Sequence, residues 1–452
     1  MDPSIFRAYD IRGVYGETLR EEDAEVIGLS FASYLGNRGV VAVGRDVRVS
    51  SKPLRDSLVK GLVEGGLKVV DIGVCSSPVL YFAVAHWSLA GGVMVTASHN
   101  PPEWNGFKLC REKGYICGEG MGMEEIRRIA LSGEYSKPGG GSLEERSALE
   151  DYLKHTASTV TAEKGLKVAL DPGNGVCGPI AERALKAIGC STLGINMEPD
   201  GRFPAHDPEP KPENLGELAK LVKSSKADYG CGFDGDGDRA VFVDDLGRVV
   251  RGDVATAVFA RYYLRRKPGG TIVVDVASSM AVTEYIEKLG GRVVVSRVGH
   301  AYIMDKMLEL NALLGGEESS HLYFQEVYGF DDAVYACMKM AEVLSKEGAK
   351  LSQLVDEVPT YPKTPVIVYS CPDNLKFKVV ESIKRELEEA GYKLLTVDGV
   401  KAMGAEGWVL IRPSNTAPQI KVVAEARDES SLMELRKLAD TLIEKHKRRL
   451  MG

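Results

Sequence analysis

Three segments of this 452-residue chain repeat one local pattern: a short β-branched run, an Asp within a small or polar loop, then a helix-like stretch. The runs are Val40-Val41-Ala42-Val43, Lys167-Val168-Ala169-Leu170 and Thr271-Ile272-Val273-Val274. They lead into Gly44-Arg45-Asp46, Asp171-Pro172-Gly173-Asn174-Gly175 and Asp275-Val276-Ala277-Ser278-Ser279. Uninterrupted apolar strands that alternate with helices predict sheets that are largely parallel and covered on both faces. The recurrence predicts three related α/β units. Ligands of such sheets sit beyond the carboxyl ends of the strands, so these loops are where function is expected.

From about residue 364 the pattern changes. Val366-Ile367-Val368-Tyr369 reads as strand and Lys378–Ala390 as helix; Trp408-Val409-Leu410-Ile411 and Ile420-Lys421-Val422-Val423-Ala424 are two strands around a loop. Ser431-Leu432-Met433-Glu434 predicts a capping box opening a last helix, with Leu432, Leu435, Leu438 and Leu442 on its buried face. The expected domains are 1–150, 151–250, 251–363 and 364–452. Turn-rich stretches, Pro138-Gly139-Gly140-Gly141-Ser142 and Tyr361-Pro362-Lys363-Thr364-Pro365, mark the first and last junctions.

Composition excludes several classes. With 57 Lys+Arg against 64 Asp+Glu the net charge is -7, the wrong sign for a non-specific nucleic-acid binder. A local cation cluster can still hold a small anion. No run approaches a membrane span, and Met1-Asp2-Pro3-Ser4 does not begin a secretory signal. The eight Cys form no C-x-x-C pair, which fits free thiols in a reducing cytoplasm.

Four loops carry chemistry. Thr96-Ala97-Ser98-His99-Asn100-Pro101-Pro102 follows the strand-like Val93-Met94-Val95. Its Ser suits an exposed nucleophile or phosphate carrier, and an ordinary Asn-Pro turn is the plainer alternative. Gly232-Phe233-Asp234-Gly235-Asp236-Gly237-Asp238-Arg239 alternates carboxylates with glycines, a pattern suited to Mg²⁺. It is not an EF-hand loop: Arg239 stands where that loop needs Gly, and Ala240-Val241-Phe242-Val243 reads as strand. Gly315-Gly316-Glu317-Glu318-Ser319-Ser320-His321 can share hydrogen bonds with sugar hydroxyls, and reads equally as an exposed loop. Arg412-Pro413-Ser414-Asn415-Thr416-Ala417-Pro418 offers a guanidinium and hydroxyl donors to a phosphate, or is a polar hairpin loop. Arg7-Ala8-Tyr9-Asp10-Ile11-Arg12-Gly13 is either structural or a further anion contact.

In this order, one per domain, the four loops resemble those of the α-D-phosphohexomutase family, within it the phosphomannomutase/phosphoglucomutase branch. T-A-S-H-N-P and G-F-D-G-D-G-D-R carry the resemblance, with Phe203-Pro204-Ala205-His206-Asp207-Pro208 in support. It covers essentially the whole chain. It implies three α/β domains with mixed, largely parallel sheets and a C-terminal α+β domain (TATA-box-binding-protein-like) around a central cleft. It implies an enzyme that interconverts hexose 1-phosphate and hexose 6-phosphate through a phosphoserine and a hexose 1,6-bisphosphate, which also serves as activator. By resemblance Ser98 is the phosphoserine, and Asp234, Asp236 and Asp238 hold Mg²⁺ with the Ser98 phosphate. Arg239 lies beside them, while Arg12, His99, Lys108 and His300 line the reaction site. Glu317, Ser319 and His321 contact sugar hydroxyls, and Arg412, Ser414, Asn415 and Thr416 grip the non-reacting phosphate. Lys108 and His321, then His300, are the acid/base candidates.

The chain departs from the family pattern at Ser320, where Gly is usual, and its clamp reads S-N-T-A-P rather than S-G-T-E-P. Ala277 stands where some members carry a basic residue. The S-N-T form favours glucose and mannose phosphates over phosphoglucosamine mutase activity, the alternative within the class. Alternatives from other classes are a haloacid-dehalogenase-like phosphatase with Asp234 as nucleophile, and a non-catalytic sugar-phosphate sensor. The expected partners are small-molecule sugar phosphates, with no nucleic acid and no membrane; monomer and homo-oligomer both stay open.

Overall fold

The computed structural model describes residues 1–162, 165–414 and 417–451, the last without its side chain. Among these residues the strands form four sheets. Strands β1 (Ile11–Val14), β2 (Val40–Arg45), β3 (Lys68–Val74), β4 (Gly91–Val95), β5 (Trp104–Arg111) and β6 (Ser142–Glu145) make the first, in the order β1-β5-β4-β2-β3-β6. Its β2–β3, β2–β4 and β3–β6 pairs are parallel; both pairs made by β5 are antiparallel.

Alternate residues of β2 point into different cores. Val41 and Val43 join Leu58 and Leu62 of the helix Ser51–Glu64, whereas Ala42 joins Val79 and Phe82 of the helix Ser77–His86. Both faces are covered, which is why the sequence runs apolar without alternation.

The second sheet holds β7 (Lys167–Asp171), β8 (Ser191–Gly194), β9 (Tyr229–Phe233) and β10 (Ala240–Val243), ordered β10-β9-β7-β8. The third holds β11 (Thr271–Asp275), β12 (Arg292–Ser296), β13 (Leu314–Gly316) and β14 (Leu322–Phe324), ordered β12-β11-β13-β14. Each combines parallel pairing with one antiparallel hairpin, β9–β10 or β13–β14. Phe82, Tyr152, Phe242, Phe259, Phe324 and Tyr335 belong to one continuous core, so the first three units are packed together.

The last sheet is wholly antiparallel: β15 (Ile367–Ser370), β16 (Lys393–Leu395), β17 (Val400–Met403), β18 (Gly407–Pro413) and β19 (Gln419–Ala426), ordered β15-β19-β18-β17-β16. Its strands alternate cleanly. Val409, Ile411, Ile420, Val422 and Ala424 pack under the helices Asp373–Glu389 and Glu429–Met451, while Trp408, Leu410 and Val423 turn the other way onto Val276 and Ala277 of the third unit. Glu425 anchors that contact, accepting from Met280 N at 2.7 Å, Ser279 Oγ at 2.5 Å and Trp408 Nε1 at 2.8 Å.

Two local expectations are corrected. The final helix starts at Glu429, before the expected box, because Asp428 is the cap: its carboxylate accepts from the Ser431 N–H at 2.9 Å and the Ser431 hydroxyl at 3.0 Å. Ser142, the last residue of the turn-rich stretch 138–142, instead opens the edge strand β6, which pairs with β3.

In the first unit, the helices Glu21–Tyr34 and Ser51–Glu64 meet at two glycines. A Cβ on Gly28 would stand 2.4 Å from the Leu58 carbonyl oxygen, and one on Gly61 would stand 2.1 Å from that of Glu25. Gly61→Ala is therefore expected to cost about 1–3 kcal/mol through overpacking. Thermal unfolding measures it, and an unchanged midpoint would show that the helices have room to spare.

Candidate active site

The serine loop is built by hydrogen bonds that reach back to β2. Thr96 Oγ1 donates to Asp46 at 2.8 Å and accepts from Ser98 N at 2.8 Å. Arg48 is 1% exposed, and its guanidinium donates to the carbonyl oxygens of Ser98 (2.7 Å), Asn100 (2.6 Å), Pro101 (2.6 Å) and Trp104 (3.0 Å). Its Nε is held by Asp46 at 3.1 Å, and the Phe203 ring of the second unit covers it at 5.0 Å. The loop so gripped keeps Ser98 at φ 51, in the left-handed region that a serine adopts only under constraint.

Ser98 Oγ donates to Asp234 Oδ2 at 2.7 Å and lies 3.1 Å from His99 Nδ1. Asp234 sits in the turn between β9 and β10, and its other oxygen accepts the N–H groups of Gly237, Asp238 and Arg239 at 3.0–3.2 Å. The glycines of this turn have separate reasons. A Cβ on Gly235 would stand 2.6 Å from the Ser98 carbonyl oxygen; Gly237 has φ +78. Asp236 accepts from Ser77 Oγ at 2.5 Å and Lys108 Nζ at 2.7 Å, and Asp238 also accepts from Lys108.

One oxygen of each triad carboxylate lies within 4.8 Å of the others, and all three residues are buried. Burial, with the charges of Asp238 and Asp236, holds the Asp234 carboxyl well above the usual carboxylate range. Burial favours loss of the Lys108 proton, but Asp236 and Asp238 overrule it and hold its pKa well above the ordinary lysine value. Asp236 Oδ1 and Asp238 Oδ1 are buried without a hydrogen-bond partner. Three buried carboxylates with two spare hard oxygens fit a divalent cation such as Mg²⁺.

On the third unit, the hairpin β13–β14 presents the sugar-loop residues. His321 Nε2 accepts from Arg239 Nε at 2.9 Å. Arginine only donates, so the ring proton lies on Nδ1, which faces Asp331 Oδ2 at 2.6 Å. Burial lowers the His321 pKa, but the Asp238 charge and the Asp331 hydrogen bond outweigh it and leave the pKa raised. His99 is the opposite case: burial, then the charges of Arg239, Arg12 and Lys108, push its pKa well below the usual imidazole value. His300 begins the helix His300–Glu309; it is buried, and neither ring nitrogen has a hydrogen-bond partner. Glu317 accepts from Tyr323 Oη at 2.6 Å and Gly299 N at 2.9 Å. Ser320 has φ 72, so this chain keeps the left-handed turn with a serine where the resemblance expects Gly.

A cavity of about 540 Å³ joins these loops. Among the sequence-predicted residues, Arg12, Ser98, His99, Lys108, Asp238, Arg239, His300, Glu317, Ser319, His321 and Arg412 line it. Asp234 and Asp236 lie buried behind Ser98 and Lys108. Ser414 is buried beside Arg412 without lining the cavity, and Asn415 and Thr416 fall outside the described residues. Arg12 is braced by Asp10 at 2.8 Å and Asn100 at 2.6 Å.

A serine pressed against carboxylates, under a sugar-sized cavity rimmed by Arg and Lys side chains from three of the four sheets, suits phosphoryl transfer rather than a hydrolase triad. Comparison with known proteins makes the assignment specific. Residues 3–137, 150–247 and 251–361 match the phosphoglucomutase/phosphomannomutase alpha/beta/alpha domains I, II and III, and residues 371–441 match the family's C-terminal domain. The chain is 40% identical to a phosphomannomutase/phosphoglucomutase of Pseudomonas aeruginosa over 95% of its length and 93% of that protein's. It is 37% identical to a probable phosphoglucosamine mutase of Methanopyrus kandleri, covering 95% and 96% of the two chains. A crystal structure of a phosphoglucomutase/phosphomannomutase family protein from Burkholderia thailandensis superposes with a TM-score of 0.91 at 32% identity, covering 99% and 98%. The chain belongs to the phosphoglucomutase/phosphomannomutase family, the α-D-phosphohexomutases.

Sequence reasoning missed Arg48, Asp46 and Asp331. Asp46 enters the sequence reading only as part of a repeated pattern; nothing local marks Arg48 as the clasp of a loop 50 residues away, or Asp331 as the hydrogen-bond partner of His321 that also lies 3.7 Å from His300 Nδ1. Arg48→Lys keeps the charge but loses the planar fork that serves four carbonyls. Its kcat is expected to fall about 100-fold with KM little changed, because misplacing Ser98 would alter the reacting geometry rather than substrate binding. Steady-state kinetics on the folded variant checks this, and wild-type kcat would refute the positioning role.

Proposed function

We propose that this chain is a phosphohexomutase that interconverts hexose 1-phosphate and hexose 6-phosphate, with glucose and mannose phosphates as substrates. The observation that carries the reading is Ser98 Oγ, 2.7 Å from Asp234, bordering a cavity walled by loops of all four sheets. We divide the chain at 150, 250 and 363; in support, the strands of each sheet fall within one of the resulting units, although the helix Leu149–Ser158 spans the first junction.

The working form carries a phosphoryl group on Ser98. In the first half-reaction the bond from phosphorus to Ser98 Oγ breaks, and phosphorus bonds to the free hydroxyl of the bound sugar phosphate. The hydroxyl proton passes to the lone pair of His321 Nε2, once Arg239 Nε, which donates to it at 2.9 Å, gives up that hydrogen bond to meet the moving phosphoryl group. The departing Ser98 Oγ takes a proton from Lys108, an ammonium held between Asp236 and Asp238. The hexose 1,6-bisphosphate then turns over, and the same steps in reverse return its other phosphate to Ser98 and both protons to their donors. Arg12, Lys108 and Arg239 offset charge on the moving group. Asp234, Asp236 and Asp238, with the Ser98 phosphate, would hold Mg²⁺, which when bound stabilises charge on the transferring phosphoryl oxygens. His99 and His300 complete the polar lining. Glu317, Ser319 and His321 meet the sugar hydroxyls; Arg412, Ser414, Asn415 and Thr416 grip the phosphate that is not reacting.

The phosphatase alternative needs Asp234 as nucleophile. Its oxygens are instead committed to three backbone N–H groups and to Ser98 Oγ. The cysteines are all buried and free, in keeping with a cytoplasmic setting, and among the described residues no helix is long and apolar enough to cross a membrane.

Intact-mass analysis after treatment with glucose 1,6-bisphosphate should show a phosphoryl adduct on the wild type and none on Ser98→Ala. The variant should lose at least about a thousandfold in kcat. An unlabelled wild type together with full activity in Ser98→Ala would refute the phosphoserine mechanism.

Substrate choice is read from kcat/KM on glucose, mannose and glucosamine 1-phosphates. Glucose and mannose are expected to lead by at least about tenfold, or about 1.4 kcal/mol. Equal or better turnover of the amino sugar would transfer the assignment to a phosphoglucosamine mutase.

A further inference from the structure

A second cavity, of about 530 Å³, opens on the first unit and shares no residue with the reaction cavity. It lies at the carboxyl ends of parallel strands: Arg45 ends β2, Gly73 stands one residue before the end of β3, and Glu145 ends β6. The connections that leave β2 and β3 run to opposite faces of the sheet. Leu58 of the helix Ser51–Glu64, which follows β2, joins Val41 and Val43; Val79 of the helix Ser77–His86, which follows β3, joins Ala42. Such a switch point leaves a crevice between two strand ends, and open α/β sheets bind their ligands there.

A bulge interrupts the pairing at the same place. The register passes from Val43↔Asp71 to Gly44↔Gly73, so Ile72 has no partner on β2. Bulges are rare in parallel pairs and re-aim side chains beside functional sites. Asp71, Ile72 and Gly73 all line the cavity.

The charges favour an anion. Arg45, Lys52, Arg55 and Arg146 line the cavity against two carboxylates, Asp71 and Glu145. Asp71 forms an ion pair with Arg55, and Asp56 holds Lys52 at 2.9 Å and Arg55 at 2.7 Å. Arg146 lies flat over the Trp87 ring at 3.9 Å and 3.6 Å from Asp151. Arg45 has no carboxylate partner among the described residues; its guanidinium makes one long hydrogen bond, to the Asp46 carbonyl at 3.4 Å. Lys52 stands in the first turn of the helix Ser51–Glu64, which carries no acidic residue there, so the positive end of the helix dipole adds to the same field.

We propose that this cavity is a second ligand site, which takes the phosphoryl group of a small organic phosphate between Arg45 and Arg146, with Lys52 at its rim. The site does not depend on the mutase reading, because none of these residues belongs to the reaction cavity. A guanidinium fork matches two oxygens of a phosphoryl group, and a dianion gives Arg45 the partner that the chain does not supply. The volume is close to the 540 Å³ of the reaction cavity, which is room for a sugar-sized body as well as its phosphate.

The test is arginine modification by phenylglyoxal at constant ionic strength, followed residue by residue by peptide mass. The compounds are inorganic phosphate, glucose 6-phosphate and adenosine 5′-monophosphate, each at about 10 mM, enough to fill a millimolar site. At least one of the two organic phosphates is expected to slow modification of Arg45 and Arg146 about fivefold or more, as occupancy at several times Kd requires. Arg385, whose side chain is 72% exposed, is the control and should react at an unchanged rate. In Arg45→Gln the protection of Arg146 should be lost, while kcat/KM for glucose 1-phosphate stays within about twofold of wild type. Lys52→Gln changes only an exposed side chain and should raise the concentration needed for protection about threefold or more.

If none of the three compounds protects Arg45 and Arg146, the site does not exist. Equal slowing at Arg45, Arg146 and Arg385 also overturns the proposal, since it marks general screening. Protection by inorganic phosphate alone overturns the organic occupant and leaves free phosphate as the ligand. Full protection of Arg146 in Arg45→Gln overturns the shared grip of the two arginines.

Discussion

Three carboxylates buried within five residues of chain set the terms for the rest of this structure. Charges taken out of water need partners of opposite sign or committed donors. Asp234 is met by backbone N–H groups and Ser98, Asp236 by Ser77 and Lys108, and Asp238 by Lys108. Their two unpartnered oxygens and the raised Asp234 pKa leave a demand that one lysine cannot meet and that a divalent cation would answer. Ser98 is thereby bound to the carboxylate cluster through a hydrogen bond rather than merely placed near it.

Three loops of the site, those carrying Ser98, Asp236 and Ser320, are tied to units other than their own. The Ser77 N–H donates to the Asp236 carbonyl, and the Ala333 N–H to that of Gly237. The Ala240 N–H donates to the Ser320 carbonyl, so the metal turn and the sugar loop are joined through the backbone as well as through Arg239 and His321. Phe203 covers the arginine that clasps the serine loop. Glu425 of the last sheet caps the helix Met280–Lys288 of the third unit. Reaction geometry here depends on the packing of whole units, which is how four loops far apart in sequence can be held as one preorganised site.

Much of the fold was legible because strand patterns report burial. The continuous apolar runs of β2, β7 and β11 announced sheets covered on both faces, and the apolar runs of β18 and β19 announced two strands around a loop. The hairpin of β16 and β17 was missed, since Lys393–Leu395 and Val400–Met403 are short and interrupted by charge. The site was legible where its chemistry is local. Asp, Gly and Ser at fixed spacing declare a turn that gathers carboxylates, or a hydroxyl at a strand end. Arg48 and Asp331 were invisible, because each acquires meaning only from a neighbour on another strand or loop.

What the chain by itself determined is the set of local shapes. Gly237 permits the positive φ at which Asp238 turns inward, and the period of β19 sends Lys421 to the face opposite Val422. What only the tertiary structure decided is which of these shapes confront one another. Ser98 meets Asp234 across 136 residues, and Lys108 meets Asp238 across 130. Those meetings are made by the packing of helices against sheets in different units, and no local spacing encodes a contact that only burial of distant apolar surface brings about.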